Sequence, residues 1–391
     1  MNQPKYNIII IGVSYSDGMA SSTRVRNLLE PLISKNLINA SNLIYKKDAF
    51  GIINKNGAIN NVNYRVIGFC RSNPLSIIPF ICIGIHFINK NRSRIQKNIL
   101  YNYSYPDIKN ILFILYAKLI GYKVILDITE DNRYHTKLSR FLTKLKIASS
   151  LFFIKHASHF TDGILAISDH LYKHMSKISR GNIPVYHIPI SVDLNKFERK
   201  TYQIPTNFKI FYGGSFGEKD GLEYLIKAFE DICLKFKNLS LILTGRGNEH
   251  DMGHLYQLID NSSIKDKIIF KDYLSKDEYY NLLNECDIFC ITRVNSNFAN
   301  AGFPFKLGEF LATGKSTIAT NIGDIDKYLK NGCNALLINP SSVEEIVKAL
   351  KYLLKNQNQI NIIGMEGRKT AEYYFDSEKI SMNLFQIFES L

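Results

Sequence analysis

The sequence predicts an α/β protein built from two doubly wound domains, each with a parallel sheet. Short apolar runs without polar alternation, such as Ile8–Gly12, are typical of parallel strands buried on both faces. A strand, a glycine-containing loop and a helix follow one another twice, once from Ile8 and again from Phe208. At 391 residues the chain is long enough for two hydrophobic cores.

The first domain is expected to span residues 1–200, ending in a polar linker from Ser191 to about Thr206. Its strands and helices are predicted from apolar runs and helical periodicity: strands Ile8–Gly12, Ile99–Tyr103, Lys123–Ile128 and Val185–Ile190, and helices Thr23–Lys35 and Ile108–Ile120. The loop that follows the first strand contains Gly18, and the first turn of the next helix contains Arg24 and Arg26. Cations are unfavourable at a helix N-terminus unless an anion is bound there, so either arginine could contact an anion or simply be solvated.

Two acids follow the predicted strand Lys123–Ile128. Ligands of open α/β sheets bind outside the carboxyl ends of the strands, where Glu130 and Asp131 would lie. These carboxylates are candidates for contacting an acceptor, and capping of the next helix is the alternative.

Charge is unevenly distributed. Residues 1–200 contain 28 basic and 11 acidic residues, a net charge of +17, whereas residues 201–391 contain 21 and 24, a net charge of −3. Basic residues recur at helical spacing at Arg133, Lys137, Arg140 and Lys144, beside an apolar stripe. This pattern indicates either a helix on an anionic membrane surface or an ordinary surface helix packed on the sheet. The apolar run Leu75–Ile88 is too short to span a bilayer and suits a core helix or an interfacial segment.

The second domain is expected to span residues 201–376. Its predicted strands are Phe208–Tyr212, Leu239–Thr244, Ile268–Phe270 and Ile288–Thr292, and its predicted helices are Leu222–Phe236, Lys276–Asn284 and Ser342–Leu354. The loop from Gly213 to Gly221 leads into a helix, which is the arrangement of a phosphate cradle, and Lys219 in this loop could add charge. Further on, a Gly-Phe-Pro turn opens a helix in which Lys306 and Glu309 share one face. A cation for phosphate beside a carboxylate for a diol suggests a nucleotide-diphosphate pocket, and an amphipathic helix with one Lys/Glu pair is the alternative.

The cysteine spacing and the motifs that the sequence lacks restrict the class of protein. The six cysteines form no C-x-x-C pair or zinc-like spacing, and no signal peptide is evident, which favours a reducing cytoplasm. No aromatic RNA-recognition string or helix-turn-helix pattern is present, so the basic charge by itself does not indicate nucleic-acid binding.

At this point several strings in a fixed order resemble glycosyltransferase family 4. They are Gly163–Ser168, Ile188–Asp193 with Phe197, Gly213-Gly214 with Lys219-Asp220-Gly221, Thr244–Gly247, Asp287–Phe289, and Phe303-Pro304 with Lys306, Glu309, Ala312 and Gly314. The resemblance covers nearly the whole chain. It implies a GT-B fold, in which two Rossmann-like domains face each other across a cleft, with the acceptor in the first and the donor in the second. It also implies that a last helix, Ser377–Ser390 within residues 377–391, returns to the first domain.

The resemblance implies metal-independent transfer of a sugar from a nucleotide-diphosphate sugar, of UDP or GDP type, with retention at the anomeric carbon and with no cofactor. It implies roles in three groups: catalytic Lys219, Lys306 and Glu309; donor-binding Gly214, Ser215, Gly245, Arg246, Arg293, Gly302, Phe303 and Pro304; and acceptor-binding Gly18, Arg24, Glu130 and Asp131. Glu309 matches the second glutamate of the family's paired-glutamate motif, whose implied task is to hold the ribose hydroxyls.

The chain departs from the family pattern in ways that concern the sugar. Ala301 stands where the first glutamate of the pair is expected, and Ser215 stands near the common phosphate-binding arginine, so Arg246 or Arg293 would have to supply that cation. Asp324-Ile325-Asp326 imitates a metal-binding D-x-D but is interpreted as the start of a helix.

We therefore expect a cytoplasmic glycosyltransferase that makes a surface polysaccharide or glycolipid on a glycan or lipid-linked acceptor, peripheral on the anionic inner face of the plasma membrane. One alternative is a GT-B nucleotide-sugar epimerase, for which Glu130 and Asp131 are the candidate acid and base. The other is a non-catalytic basic protein that binds membranes or nucleic acid.

Overall fold

The computed structural model describes residues 3–16, 19–49, 51–68, 74–134, 141–197, 203–272 and 274–391. The chain forms two α/β units: residues 1–189 with 377–391, and residues 190–376. The division after Pro189 lies earlier than the predicted boundary after residue 200. As a result the string Ile190–Phe197 belongs to the second unit.

The first unit contains an eight-stranded sheet in the order β3-β4-β2-β1-β5-β6-β7-β8. Its strands are β1 (Tyr6–Ile11), β2 (Ile38–Tyr45), β3 (Asn56–Ile59), β4 (Val62–Ile67), β5 (Lys97–Tyr103), β6 (Lys123–Ile128), β7 (Gly163–Ala166) and β8 (Val185–His187). All neighbouring strands pair in parallel except β3, which is antiparallel to β4. Every residue of β1 is buried, as its unbroken apolar run predicts.

In the described residues of this unit, the helices are α1 (Ala20–Ser34), α2 (Ile77–Lys90), α3 (Ile108–Leu119), α4 (Phe141–Lys155), α5 (Asp169–Ser179) and the last helix of the chain, Ser377–Ser390. The last helix packs on α1, where Ser381 Oγ donates a 3.0 Å hydrogen bond to Asn27 O. Leu384 and Phe388 join the core that surrounds Leu28. The last helix therefore belongs to the first unit.

The second unit contains a six-stranded parallel sheet in the order β11-β10-β9-β12-β13-β14. Its strands are β9 (Phe208–Gly214), β10 (Leu239–Gly245), β11 (Ile268–Lys271), β12 (Ile288–Ile291), β13 (Ser316–Thr320) and β14 (Leu336–Ile338). Its helices are α6 (Leu222–Cys233), α7 (Glu249–Asp260), α8 (Lys276–Glu285), α9 (Asn297–Ala301), α10 (Lys306–Ala312), α11 (Ile325–Tyr328), α12 (Val343–Lys355) and α13 (Gln357–Tyr374). The last helix is α14. Asp324 directly precedes α11, in agreement with the interpretation of Asp324-Ile325-Asp326 as a helix start.

Two residues of the predicted basic helix face are described. Arg133 lies in the 3-10 turn Asn132–Tyr134, where Asp131 binds its guanidinium, and Lys144 lies in α4. Lys137 and Arg140 lie outside the described residues. The apolar run Leu75–Ile88 forms most of α2, whose Phe80 and Ile88 are buried. Among the described residues, no helix has both the length and the apolar character needed to cross a bilayer.

Candidate functional site

The chain reverses its direction across the second sheet between β9 and β12. The chain first builds β9, β10 and β11 outward, and then returns to place β12 on the other side of β9. In open α/β sheets, ligands bind at the carboxyl ends of the strands beside such a reversal. Gly213 and Gly214 end β9, and Thr292 and Arg293 follow β12 at the same edge.

The loop after β9 is held by the buried carboxylate of Asp220. Asp220 Oδ2 accepts hydrogen bonds from Ser215 Oγ at 2.8 Å and from the Gly217 amide at 3.2 Å. Its carbonyl accepts a bond from Thr292 Oγ1 at 3.0 Å, which ties the loop to the end of β12. Gly221, with φ +61°, leads into α6, and a Cβ there would lie 2.2 Å from Thr292 O. Only glycine fits this approach, so the loop is a rigid edge of the site.

The ends of β9 and β10 also approach each other closely. Gly245 pairs with Gly214 in the parallel ladder and has φ +138°. A Cβ at Gly245 would lie 1.9 Å from Gly214 O. A side chain cannot occupy this position, so the sheet edge stays open beside the loop.

Three side chains meet over the carboxyl end of β9. Lys306 Nζ donates to Tyr279 Oη at 2.9 Å, and Tyr279 Oη donates to Glu309 Oε2 at 2.8 Å. The Lys306 ammonium also lies 4.2 Å from the centre of the Tyr279 ring, in cation–π geometry. The stem of Lys306 runs past Gly213, where an added Cβ would be 3.4 Å from Lys306 Cδ. We call these three residues the Lys306–Tyr279–Glu309 cluster.

The cluster holds a cation in an environment that disfavours its charge. Burial lowers the pKa of Lys306, and the negative charge of Glu309 opposes this only in part. Burial and the Glu309 carboxylate raise the pKa of Tyr279 well above its usual value, so the phenol stays protonated and can donate. Among the described residues, Lys306 Nζ has one hydrogen-bond partner and Glu309 Oε1 has none. The cluster therefore has donors and acceptors available for a ligand that contains both phosphate and hydroxyl groups.

The other predicted cations lie around the same edge. Lys219 sits in the 3-10 turn Glu218–Asp220, and its ammonium lies 4.8 Å from the centre of the Phe298 ring. Arg293 is half-buried and donates to Ala299 O at 3.3 Å. Arg246, just after β10, is exposed and forms no ion pair among the described residues. Ser215 is exposed, but its hydroxyl is already bound to Asp220.

In the Gly-Phe-Pro turn before α10, the side chain of Phe303 does not have its predicted donor-binding role. The Phe303 side chain is buried and packs edge-on against Tyr328, with ring centres 5.4 Å apart, and near Phe375 at 6.1 Å. Its ring is therefore a core group and does not offer a donor contact. Gly302 and Pro304 are partly exposed on either side of it. Ala301, where the family places a glutamate, is fully buried at the end of α9.

Arg24, predicted to contact an acceptor, has a structural role in the first unit. Its side chain is 0% exposed and forms a bidentate ion pair with Asp127, Nε to Oδ2 and Nη2 to Oδ1, both at 2.8 Å. Nη1 donates to Pro189 O at 2.7 Å, and Nη2 donates to Ile188 O at 3.0 Å. The positive charge near the start of α1 is balanced by a buried carboxylate, which sequence alone does not reveal.

Of the two acids after β6, Asp131 is enclosed. Its oxygens accept bonds from the Arg133 backbone amide at 3.0 Å and from Arg133 Nη2 at 2.5 Å, and it is fully buried. Burial tends to raise the pKa of Asp131, but the Arg133 bonds outweigh burial and lower it. The capping alternative describes Asp131, whereas its predicted acceptor contact is not available in this arrangement. Glu130 is half-buried, and its acceptor role stays a prediction. Gly18 lies outside the described residues.

The sequence prediction missed Tyr279. The helix Lys276–Asn284, which contains it, was predicted, but no role was assigned to Tyr279. The available signal was a tyrosine inside a polar helix directly before the strand Ile288–Ile291, and this signal is weak.

The loop and the Lys306–Tyr279–Glu309 cluster lie at the topological switch of a doubly wound α/β domain, which is where proteins of this fold class bind their ligands. Within that class, residues 195–370 match the family described as "Glycosyl transferases group 1". Over these residues, most of the second unit is similar to the group 1 glycosyl transferases.

Curated relatives of this chain are also described as glycosyltransferases. An uncharacterized glycosyltransferase of Methanocaldococcus jannaschii is 23% identical over 243 residues, which cover 61% of this chain and 63% of that protein. The capsular polysaccharide biosynthesis glycosyltransferase CapM of Staphylococcus aureus is 26% identical over 194 residues, covering 48% of each chain. The matched part thus spans less than two thirds of either relative.

Solved structures show the fold. Sucrose-phosphate synthase from Thermosynechococcus elongatus superposes with a TM-score of 0.76 at 13% identity, over 100% of this chain and 99% of that one. HepE from Anabaena, in complex with UDP-glucose, has a TM-score of 0.74 at 14% identity, over 99% and 100% of the two chains. The fold is GT-B, as predicted.

Proposed function

We propose that this protein is a glycosyltransferase that moves a sugar from a nucleotide-diphosphate sugar, of UDP or GDP type, to a hydroxyl of a glycan or lipid-linked acceptor. The observation that supports it most is the Lys306–Tyr279–Glu309 cluster, which lies at the switch point of the unit that matches the group 1 glycosyl transferases. The cluster offers a cation and a carboxylate with spare hydrogen-bonding capacity, which matches the two polar parts of a nucleoside diphosphate.

Lys306 is assigned to the diphosphate. As the glycosidic bond breaks, negative charge accumulates on the leaving diphosphate while the sugar acquires oxocarbenium character. A cation that is already partly desolvated stabilises that charge more than a fully hydrated one, because less reorganisation is needed. Burial lowers the pKa of Lys306. An anion placed beside its ammonium group therefore stabilises the protonated form more than it would stabilise that of an exposed lysine.

Glu309 is assigned to the ribose hydroxyls. Its Oε2 already accepts the Tyr279 hydroxyl, which fixes the carboxylate, and its Oε1 has no partner among the described residues. Tyr279 thus positions both charged groups and contributes no charge of its own.

We further propose that transfer proceeds with retention and without a metal ion or cofactor. Lys219 and Arg293 lie around the same loop and would share the charge of the diphosphate with Lys306. Ala301 offers no carboxylate to the sugar, so we expect the sugar hydroxyls to be read by other groups.

The biological setting is part of the proposal. The staphylococcal relative is described as acting in capsular polysaccharide biosynthesis, which supports a role in surface polysaccharide or glycolipid synthesis. The strongly basic first 200 residues support work in the cytoplasm at the anionic inner face of the plasma membrane.

A thermal-shift screen of the full chain against UDP-, GDP- and ADP-sugars tests the proposal. We expect one nucleotide to raise the Tm, and the Lys306→Met variant to lose that shift. The absence of a response to every nucleotide would contradict the proposal. Incubating the responding donor without acceptor, followed by product analysis, separates a transferase from an epimerase, since only an epimerase returns an isomeric nucleotide sugar.

A further inference from the structure

Helix α3 in the first unit has an outward face made only of apolar side chains. Ile108, Leu112, Leu115 and Leu119 are 48%, 39%, 37% and 83% exposed. Their spacing of four, three and four residues places them on one stripe about 16 Å long. The opposite face, with Phe113, Ile114 and Ala117, is buried. We call the exposed set the α3 stripe.

This pattern is unusual for an outer helix of an α/β unit. The corresponding exposed positions of α12 in the second unit are Glu344, Lys348, Tyr352 and Lys355, which are mostly charged. Single exposed apolar residues are common, but a continuous stripe marks a surface that contacts a partner.

The two neighbouring helices also expose apolar side chains. α3 packs against α2 and against α4. Ile78 on α2 is 57% exposed, and Phe152 on α4 is 67% exposed. Together, α2, α3 and α4 contain six lysines and no acidic residue. The two lysines of α3 are paired with acids outside these helices, Lys109 with Asp107 at 3.5 Å and Lys118 with Asp162 at 2.9 Å. An apolar face flanked by lysines is the pattern of helices that lie in a membrane interface.

A group of cations lies at the C-terminal end of the stripe. A cavity of about 530 Å³ is lined by Arg92, Arg94, Lys97 and Lys123 and by the aromatic residues Tyr6 and Phe388. This cavity adjoins α3, because a Cβ on Gly121, two residues after Leu119, would lie 3.7 Å from Arg92 Nη2.

The cations of this cavity are largely unneutralised. Lys123 pairs with Asp162 at 3.3 Å, whereas Arg92, Arg94 and Lys97 are exposed and form no ion pair in the part of the chain that the structure describes. Ile95, between the two arginines, is 85% exposed. Arginine and lysine around a small cavity suit the phosphate of a lipid headgroup.

We propose that the α3 stripe and the cavity at its end form the surface through which the first unit docks on an anionic phospholipid bilayer, with apolar side chains at the acyl boundary and Arg92 and Arg94 on headgroup phosphates. This inference rests on the proposed function for the lipid-linked acceptor. Charge complementarity selects the occupant, because a second copy of this face would bring lysines against lysines.

Flotation of the full chain tests the proposal with phosphatidylcholine vesicles, alone or containing phosphatidylglycerol at two to one. We expect binding only to the anionic vesicles. The stripe variant Leu112→Glu/Leu119→Glu should lose it, and Arg92→Gln/Arg94→Gln should weaken it by about fivefold per cation. The matched controls, Leu234→Glu/Ile362→Glu and Lys235→Gln/Lys330→Gln, alter exposed residues of the second unit and should bind normally.

Four results would overturn the proposal. The first three are unchanged vesicle binding by the stripe variant, equal binding to neutral and anionic vesicles, and a dimer in light scattering that the stripe variant converts to monomer. If soluble glycerol phosphate occupied the cavity and left vesicle binding unaffected, the cavity would be a small-anion site and the proposal would fail. The nucleotide thermal shift, measured on the same variants, keeps a failed membrane assignment separate from a failed nucleotide site.

Discussion

Each unit contains a cluster of one cation, one carboxylate and one tyrosine. In the first unit, Asp127 accepts two bonds from Arg24 and one from Tyr101 Oη at 2.5 Å. In the second, Lys306 reaches Glu309 only through Tyr279 Oη. Arg24 and Asp127 are both 0% exposed, whereas Lys306 and Glu309 are partly exposed.

The two clusters differ in how many of their polar atoms already have hydrogen-bond partners. Arg24 donates from all three of its nitrogens, to a carboxylate and two backbone carbonyls, so the cluster holds α1, β6 and the end of the first unit together. Lys306 and Glu309 each make a single bond among the described residues, which leaves capacity for a ligand. A cation, a carboxylate and a tyrosine thus stabilise the fold when their hydrogen bonds are saturated, and they suit ligand binding when they are not.

The largest expected effect is on stability, from Arg24→Leu. Removing the guanidinium leaves Asp127 buried without its partner, which costs about 3–5 kcal/mol. Urea unfolding followed by circular dichroism measures the loss. The double variant Arg24→Leu/Asp127→Leu should recover part of it, since no buried charge remains. A single variant as stable as the wild type, but unable to act on its acceptor, would instead restore the predicted acceptor role of Arg24.

Next in size is the loss of nucleotide affinity in Lys306→Met. A hydrogen bond to a charged group contributes about 1.5–3 kcal/mol, so the Kd of the responding nucleoside diphosphate should rise by roughly 10- to 150-fold. Titration calorimetry measures it, and the free nucleoside is the control, because its affinity should stay nearly constant. An equal loss for both ligands would place Lys306 away from the phosphates.

A smaller effect is expected for Glu309→Gln. The neutral amide weakens the charge-assisted bonds to the ribose, so nucleotide affinity should fall about tenfold. The 2′,3′-dideoxy nucleotide should bind the variant and the wild type equally. Tyr279→Phe is the matched control, since it removes the hydroxyl contact and keeps the carboxylate. If Glu309→Gln weakened both nucleotides alike, Glu309 would not contact the ribose.

The smallest expected effect is a fall in diphosphate affinity on the alkaline side of the pH profile, which we call the alkaline limb. Because burial lowers the pKa of Lys306, its charge is lost at a lower pH than that of an ordinary lysine. Diphosphate affinity should therefore fall as the pH rises toward 10, whereas the free chain gains stability over the same range, since its unfolded form binds more protons there. Calorimetry from pH 7 to 10 measures the limb. In Lys306→Arg the limb should disappear; a limb that persisted would belong to another group.

Much of the architecture could be predicted from local pattern. Apolar runs located β1, β5, β6, β9, β10 and β12 to within a few residues, and the last helix was predicted with its observed bounds. β2 was missed because Asn39, Ser41 and Asn42 break its apolar run. Asn42 is nevertheless fully buried, where its amide donates to Ile10 O and Val13 O and accepts from the Tyr15 amide.

The 18-residue helix α13 was missed for a related reason. Gly364 and Gly367 lower its helix propensity, yet a Cβ on Gly364 would lie 2.2 Å from Gly314 O. The glycine allows α13 to pack directly on the backbone after α10. Such a requirement depends on a distant segment and leaves no periodic signal in the sequence.

In the candidate site, too, some features could be predicted from the sequence and others depended on tertiary packing. Lys306 and Glu309 could be paired from the sequence, because three residues of helix put them on one face. That Tyr279, 27 residues before Lys306, would join them, and that Arg24 would be neutralised by Asp127, 103 residues away, depended on the packing of helices over the sheet. Hydrophobic periodicity and residue spacing predict which side chains share a face of one helix or strand. The partner of a buried charge depends on contacts between different helices and strands, and these contacts form only in the folded chain.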